Sequence, residues 1–159
     1  MRDLAATELP KGPLSQLVEI LARIVVISTL VFALFAPLEA CSPVVLLNMT
    51  VPRSGYHIQK DFVYGNEPRQ KLDLYIPDGL NAPAPVLLFF YGGSWQSGQK
   101  DDYLALGQAF ASKGIIVAIA DYRVFPQARY PAFLNDGAAA FSFVHDQIAN
   151  YGGDPSRVA

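Results

Sequence analysis

Val86-Leu87-Leu88-Phe89-Phe90-Tyr91-Gly92-Gly93-Ser94-Trp95-Gln96-Ser97-Gly98 is the stretch on which the reading of the whole chain turns. The apolar run Val86–Phe90 follows Pro83-Ala84-Pro85 and stops at a glycine pair, the pattern of a strand buried on both faces. Two adjacent glycines at the C-terminal end of a strand allow a sharp turn and leave main-chain N–H groups with no side chain over them. N–H groups presented in this way are what an acyl-transfer enzyme directs at a developing oxyanion.

Downstream of the loop, Asp101 or Asp102 is placed to cap a helix running to about Lys113, with Gly114 at its end. Tyr103, Leu106 and Phe110 put an apolar stripe on that helix. Ile115–Ala120 is apolar throughout and reads as a second buried parallel strand, so that strand, helix and strand form a crossover unit. Asp121-Tyr122-Arg123 ends it. A loop with Pro126 and Arg129 leads to Pro131, which suits the first position of a helix. Leu134, Gly137, Phe141, Val144 and Ile148 give that helix a buried stripe, and Tyr151-Gly152-Gly153-Asp154-Pro155 ends it. Arg157-Val158-Ala159 reads as the first step of a further strand.

Upstream, Tyr56, Ile58, Phe62 and Tyr64 alternate with His57, Gln59, Asp61 and Val63, which predicts a half-buried strand. A turn at Gly65-Asn66-Glu67-Pro68 and a second alternating strand with Leu72, Leu74 and Ile76 complete an opening hairpin. Residues 42–55, with Pro43 and Pro52, read as a linker. Before it, Ile24–Leu38 carries no charge, yet it is shorter than the roughly 20 apolar residues a membrane helix needs. It suits the core of a signal peptide, or an anchor if extended toward Leu17. Leu38-Glu39-Ala40-Cys41 is similar to a bacterial lipoprotein cleavage box, which makes Cys41 a candidate for lipidation. These features predict residues 1–41 as a signal peptide or membrane anchor and an exported or membrane-associated protein of the periplasm or cell envelope.

In 159 residues with formal net charge −2 there is room for one domain and no basic stripe for nucleic acid. A single cysteine excludes an internal disulfide, and two histidines with no Cys/His cluster argue against zinc. His57 falls on the polar side of its strand and His145 beside the helix stripe, so both read as solvated.

Tyr91-Gly92-Gly93-Ser94-Trp95 resembles the His-Gly-Gly-x-x oxyanion motif of α/β-hydrolase esterases, with Tyr91 where histidine is usual. Glycine pairs also serve ordinary turns. Trp95, the Gln96-Ser97-Gly98 continuation and the order of everything downstream set this one apart. The likeness covers about Tyr56–Ala159 and is strongest to the N-terminal half of bacterial carboxylesterases and arylformamidase-like hydrolases. It implies a partial α/β-hydrolase fold over residues 56–159, an opening β-hairpin followed by parallel strands with flanking helices. It also implies hydrolysis of a small carboxylic ester or related amide by a Ser-His-Asp mechanism, with no metal or cofactor. Gly92, Gly93 and Ser94 would supply oxyanion donors, and Tyr91 and Trp95 would shape the substrate pocket.

No Gly-x-Ser-x-Gly occurs in the chain; Gly92-Gly93-Ser94-Trp95-Gln96 misses it at the last position. The resemblance therefore places nucleophile, acid and base beyond Ala159 and makes the chain a truncated hydrolase, inactive alone. Such a cut is expected to leave Val86–Phe90 as an exposed apolar edge. Two other readings stand beside it. One is a non-catalytic, membrane-tethered fragment of hydrolase ancestry. The other is a dinucleotide-binding unit with Asp121 on a ribose, which would require the glycine loop to open directly into a helix.

Overall fold

The computed structural model describes residues 12–40 and 43–159, so Cys41 lies outside the described residues. The chain divides into two compact units, Met1–Ser42 and Pro43–Ala159. In the first, Pro13–Ala40 is one helix, α1. Leu17, Val18, Ile20, Leu21, Ile24 and Val25 on it are each more than half exposed. The hydroxyls of Ser28 and Thr29 donate back to the Val25 carbonyl, both at 2.9 Å, so these polar groups are satisfied within the helix. Among the described residues no helix is long and apolar enough to cross a membrane.

The second unit is a five-stranded sheet with helices on both faces. Its strands are β1 (Tyr56–Val63), β2 (Lys71–Pro77), β3 (Ala84–Phe90), β4 (Ile116–Ala120) and β5 (Gly153–Val158), in spatial order β1-β2-β4-β3-β5. β1 pairs with β2 antiparallel, as the expected hairpin, and β2 pairs antiparallel with β4. β3 runs parallel to β4 on one side and β5 on the other. All of β4 is 0% exposed, which is what its uninterrupted apolar run predicts for a central strand.

One face of the sheet carries α3 (Leu104–Ala111) and α2 (Pro43–Thr50). Its core includes Tyr56, Tyr75, Leu104, Ala111, Val117 and Ile119. The other face packs α4 (Ala132–Gln147) through Ala140, Val144 and, just past its end, Ile148 against Leu72, Val86 and Ala118.

Five local expectations need correction. The predicted linker holds α2, whose Asn48 Nδ2 donates to the Asp101 carbonyl at 3.2 Å, and Val51 beyond it is buried in the core. The alternation of β1 does not stay in phase. A register shift between Gln59 and Phe62, with Asp61 at φ +61°, inserts a bulge. Tyr56 and Ile58 consequently join the α3 face, whereas Phe62 and Tyr64 join the α4 face. The helix expected from Asp101 begins as a 3₁₀ turn, Lys100–Tyr103, with no side-chain cap, because the two aspartates lie inside the turn and not ahead of it.

On α4 the buried stripe is Asp136, Ala140 and Val144, one residue ahead of part of the predicted set; Leu134 and Phe141 are about half exposed. A buried aspartate displaces the stripe, since apolar periodicity carries no mark for an ion-paired core residue. Finally, β5 starts at Gly153 and covers the β3 side chains' neighbouring edge as far as Leu88, whose N–H donates to the Ala159 carbonyl at 2.8 Å. The expected bare edge is thus reduced to the end of the strand at Phe90, 39% exposed.

Candidate active site

β3 and β4 end side by side, Phe90 opposite Ala120, and both chains turn out of the sheet there. The β3 exit is the glycine loop. Gly93 has φ +124°, and Ser94 and Trp95 follow at φ +53° and +56°, a run of left-handed residues closed by Gln96 N–H donating to the Gly93 carbonyl at 2.9 Å. Such conformations cost of order 1–3 kcal/mol each for residues with a side chain and persist only where surroundings impose them. A Cβ on Gly93 would lie 2.4 Å from the Ser97 carbonyl oxygen, so glycine is required for space as well as for φ. Among the described residues none accepts from the main-chain N–H of Gly92, Gly93 or Ser94. No helix opens at Gly93 or Ser94; the next helical turn begins at Lys100. The loop therefore lacks the arrangement that the dinucleotide reading required.

Gly92 and Ser94 line a cleft of ≈ 480 Å³, together with Phe90, Tyr91 and Trp95. Tyr122 forms its floor with them, and Phe133, Leu134 and Gly137 of α4 close the far side. The volume is in the range of small-molecule sites and the lining is largely apolar and aromatic. Trp95, 51% exposed, stacks on Phe133 at a centroid distance of 5.1 Å and an angle of 20°. The main chain of Trp95 is fixed from the opposite loop, where Phe125 N–H donates to its carbonyl at 2.8 Å.

Beneath the loop the side chains are polar. Tyr91 is 2% exposed, stacked between Tyr103 and Tyr122. Its hydroxyl donates to Asp121 Oδ1 and accepts from Arg69 Nη2 at 2.8 Å. Burial, reinforced by the hydrogen bond to Asp121 and its charge, pushes this hydroxyl well above tyrosine's ordinary pKa. Arg69 also donates from Nη2 to the Gly98 carbonyl at 2.6 Å and from Nε to the Tyr122 carbonyl at 2.8 Å. Tyr122 returns a hydrogen bond from its hydroxyl to the Tyr91 carbonyl at 2.6 Å.

Beside this network Arg123 grips Asp136, with Nη2 donating to Oδ1 at 2.7 Å, Nε to Oδ2 at 2.9 Å and its own N–H to Oδ2 at 2.9 Å. Gln70 Nε2 donates to Oδ1 at 2.7 Å. This ion pair ties α4, one wall of the cleft, to the end of β4.

Of the oxyanion candidates Gly92, Gly93 and Ser94 and the pocket candidates Tyr91 and Trp95, all but Gly93 line the same cleft. Gly93 sits between lining residues. Neither histidine reaches the cleft: His57 Nδ1 lies 3.0 Å from Asp78 Oδ1 on β1, and His145 Nδ1 lies 3.2 Å from Asp146 Oδ1 on α4. Arg69, Asp136 and Phe133 were not foreseen. Asp136 and Phe133 share a helix turn with predicted stripe residues and were open to inspection; Arg69, in a polar turn, gave no signal.

Parallel strands leading into a glycine loop, an antiparallel opening hairpin and an aromatic cleft at the strand ends define a partial α/β-hydrolase fold. A family model described as BD-FAE matches residues 72–159, and the chain belongs to that family. The isoprenylcysteine alpha-carbonyl methylesterase of Arabidopsis thaliana is 41% identical over 101 residues, covering 64% of this chain and 24% of the relative. Carboxylesterase NlhH of Mycobacterium tuberculosis is 38% identical over 88 residues, covering 54% of this chain and 27% of the relative. Thus the chain spans about a quarter of the length of these curated relatives. Among solved structures, a bacterial heroin esterase superposes with a TM-score of 0.63 at 25% identity, covering 77% of this chain and 39% of that one. Esterase B of Lactobacillus rhamnosis has the same fold, with a TM-score of 0.65 at 22% identity over 91% of this chain and 44% of that one.

Proposed function

We propose that this chain carries the oxyanion-binding half of a serine-type carboxylic-ester hydrolase. The observation behind this is the Gly92–Ser94 turn, whose N–H groups lack an acceptor among the described residues, at the mouth of an apolar cleft. An ester carbonyl seated over the turn would develop negative charge on its oxygen as a nucleophile attacks, and pre-oriented N–H groups stabilise that charge more than the ground state. The acyl group would lie in the apolar cleft against Phe90, Trp95 and Leu134. Ser94 has no histidine within reach to take its proton, so the nucleophile, base and acid are assigned to residues beyond Ala159, and the present chain is held to be inactive alone.

The test is hydrolysis of p-nitrophenyl acetate and butyrate. The 159-residue chain should give no turnover above buffer. The same chain extended through its downstream reading frame should be active, and Gly93→Pro in it, which removes one donor, should lower kcat by about 10²–10³. Turnover by the short chain that disappears in Ser94→Ala would overturn the reading and make Ser94 the nucleophile.

Residues 1–41 we assign to export or membrane association. The apolar surface of α1 and the internal satisfaction of Ser28 and Thr29 support this, as an apolar medium demands both. Cys41, as a lipidated residue, would add a second attachment.

A further inference from the structure

We infer that Arg69 is a positioning residue that, with Asp121 and through Tyr91, holds the glycine loop in its turned conformation from beneath. This rests on the oxyanion reading for what the held N–H groups do, although the clamp itself is a matter of geometry.

The loop has two ends, and both are fastened to the same few atoms. At its start, the Tyr91 hydroxyl is shared between Asp121 and Arg69, and the Tyr91 carbonyl accepts from Tyr122. At its finish, the Gly98 carbonyl accepts from Arg69 at 2.6 Å, and the Lys100 N–H donates to Asp121 Oδ1 at 2.8 Å. Gly98 itself, at φ +107°, lies against the Tyr91 ring so closely that a Cβ there would be 2.6 Å from Cδ2. Between these ends, Ser94 and Trp95 hold left-handed conformations that do not persist unaided. Arg69 is suited to the task because a planar guanidinium can address Tyr91, Gly98 and Tyr122 at once from fixed directions. It reaches them from the turn between β1 and β2, so the opening hairpin acts on a site to which it contributes no lining residue.

Trp95 is the chain's single tryptophan and sits in the loop, which makes its fluorescence a native reporter. The experiment measures time-resolved anisotropy of Trp95 in the full chain held in detergent micelles, with circular dichroism recorded on every sample. In the parent, the squared order parameter of local Trp95 motion should be about 0.85, and in Arg69→Gln and Tyr91→Phe it should fall to about 0.6 or below. Tyr56→Phe is the control. Its hydroxyl donates to the Pro52 carbonyl and touches neither the loop nor Asp121, so its loss should leave Trp95 motion unchanged even if the chain melts earlier. Should Arg69→Gln fail to fold, Tyr91→Phe decides, because it keeps the ring stacked and removes only the hydroxyl. Unchanged Trp95 motion in folded Tyr91→Phe, or equal loosening in Tyr56→Phe, overturns the inference.

The oxyanion reading is followed separately by titrating the parent with acetate, whose carboxylate oxygen would occupy the same N–H groups. A saturable change in Trp95 emission is expected. Its absence, alongside a loosened loop in the variants, retires the oxyanion reading and leaves the clamp standing.

Discussion

Asp136 is 0% exposed and accepts from three Arg123 groups and from Gln70, so its carboxylate has a defined partner for each oxygen. Replacing it with alanine leaves Gln70 Nε2 without its acceptor and Arg123 with only the longer contact to Glu67, at 3.4 Å. Breaking a fully buried pair costs about 3–5 kcal/mol, and because the Arg123 side chain is 25% exposed a loss below that range, about 2–3 kcal/mol, is expected in a urea melt. The same residue sets an acid limit. Burial alone would raise its pKa, but the hydrogen bonds and charge of Arg123 outweigh that and hold it below the ordinary carboxylate value. A carboxylate whose folded pKa is depressed contributes fully above its unfolded pKa of about 3.9 and loses that contribution as pH falls through the lower folded value. Melting temperatures recorded from pH 6 downward should therefore drop more steeply below about pH 4 in the parent than in Asp136→Asn. Residues of this kind were the least legible in the sequence. Asp136 meets Gln70 across 66 positions and Arg69 meets Tyr122 across 53, and no local spacing encodes a bond of that reach.

At the scale of elements, α3 lies so near β2 that a Cβ on Gly107 would sit 2.4 Å from Tyr75 Cδ1. Glycine to alanine inside a helix usually gains up to about 1 kcal/mol. Tyr75 is 2% exposed and stacked on Tyr56, leaving its ring no direction in which to yield, so overpacking of about 1–3 kcal/mol should dominate. Gly107→Ala should accordingly lower the urea midpoint, and a raised midpoint would mean that α3 can slide away from the sheet. Elements with uniform signals were readable in advance: β2, β3 and β4 stand where the apolar runs and alternation put them. Those interrupted by one polar residue were not. The Lys60-Asp61 bulge, where the Asp61 N–H donates to the buried Asp73 at 2.9 Å, changes the face of everything after it, and alternation cannot reveal a skipped beat. The glycine loop was legible because its chemistry is compressed into neighbouring residues, whereas its anchoring is not.

For the molecule as a whole, the division at Ser42 and Pro43 makes the two units separable in principle. A shortened chain beginning at Pro43 should retain the strand signal in circular dichroism and stay in the supernatant after ultracentrifugation, while the full chain pellets with membranes. Full-length chain recovered from the soluble cytoplasmic fraction would defeat the export proposal, and fatty-acid labelling of the parent but not of Cys41→Ser would identify lipidation. The sheet order has one more consequence, and it is kinetic. β2 is synthesised well before its native neighbour β4, and the strand that leaves the ribosome next is β3, which in the finished sheet never touches β2. Until β4 arrives, one edge of β2 lacks its native partner, and β3 is the next strand close enough in sequence to meet that edge. Pro85, second residue of β3, has no N–H to lend such a pairing, and in the native sheet it falls where the β3–β5 register already breaks. A proline there withholds a ladder hydrogen bond from any β2–β3 pairing at a position where the native β3–β5 ladder is already interrupted.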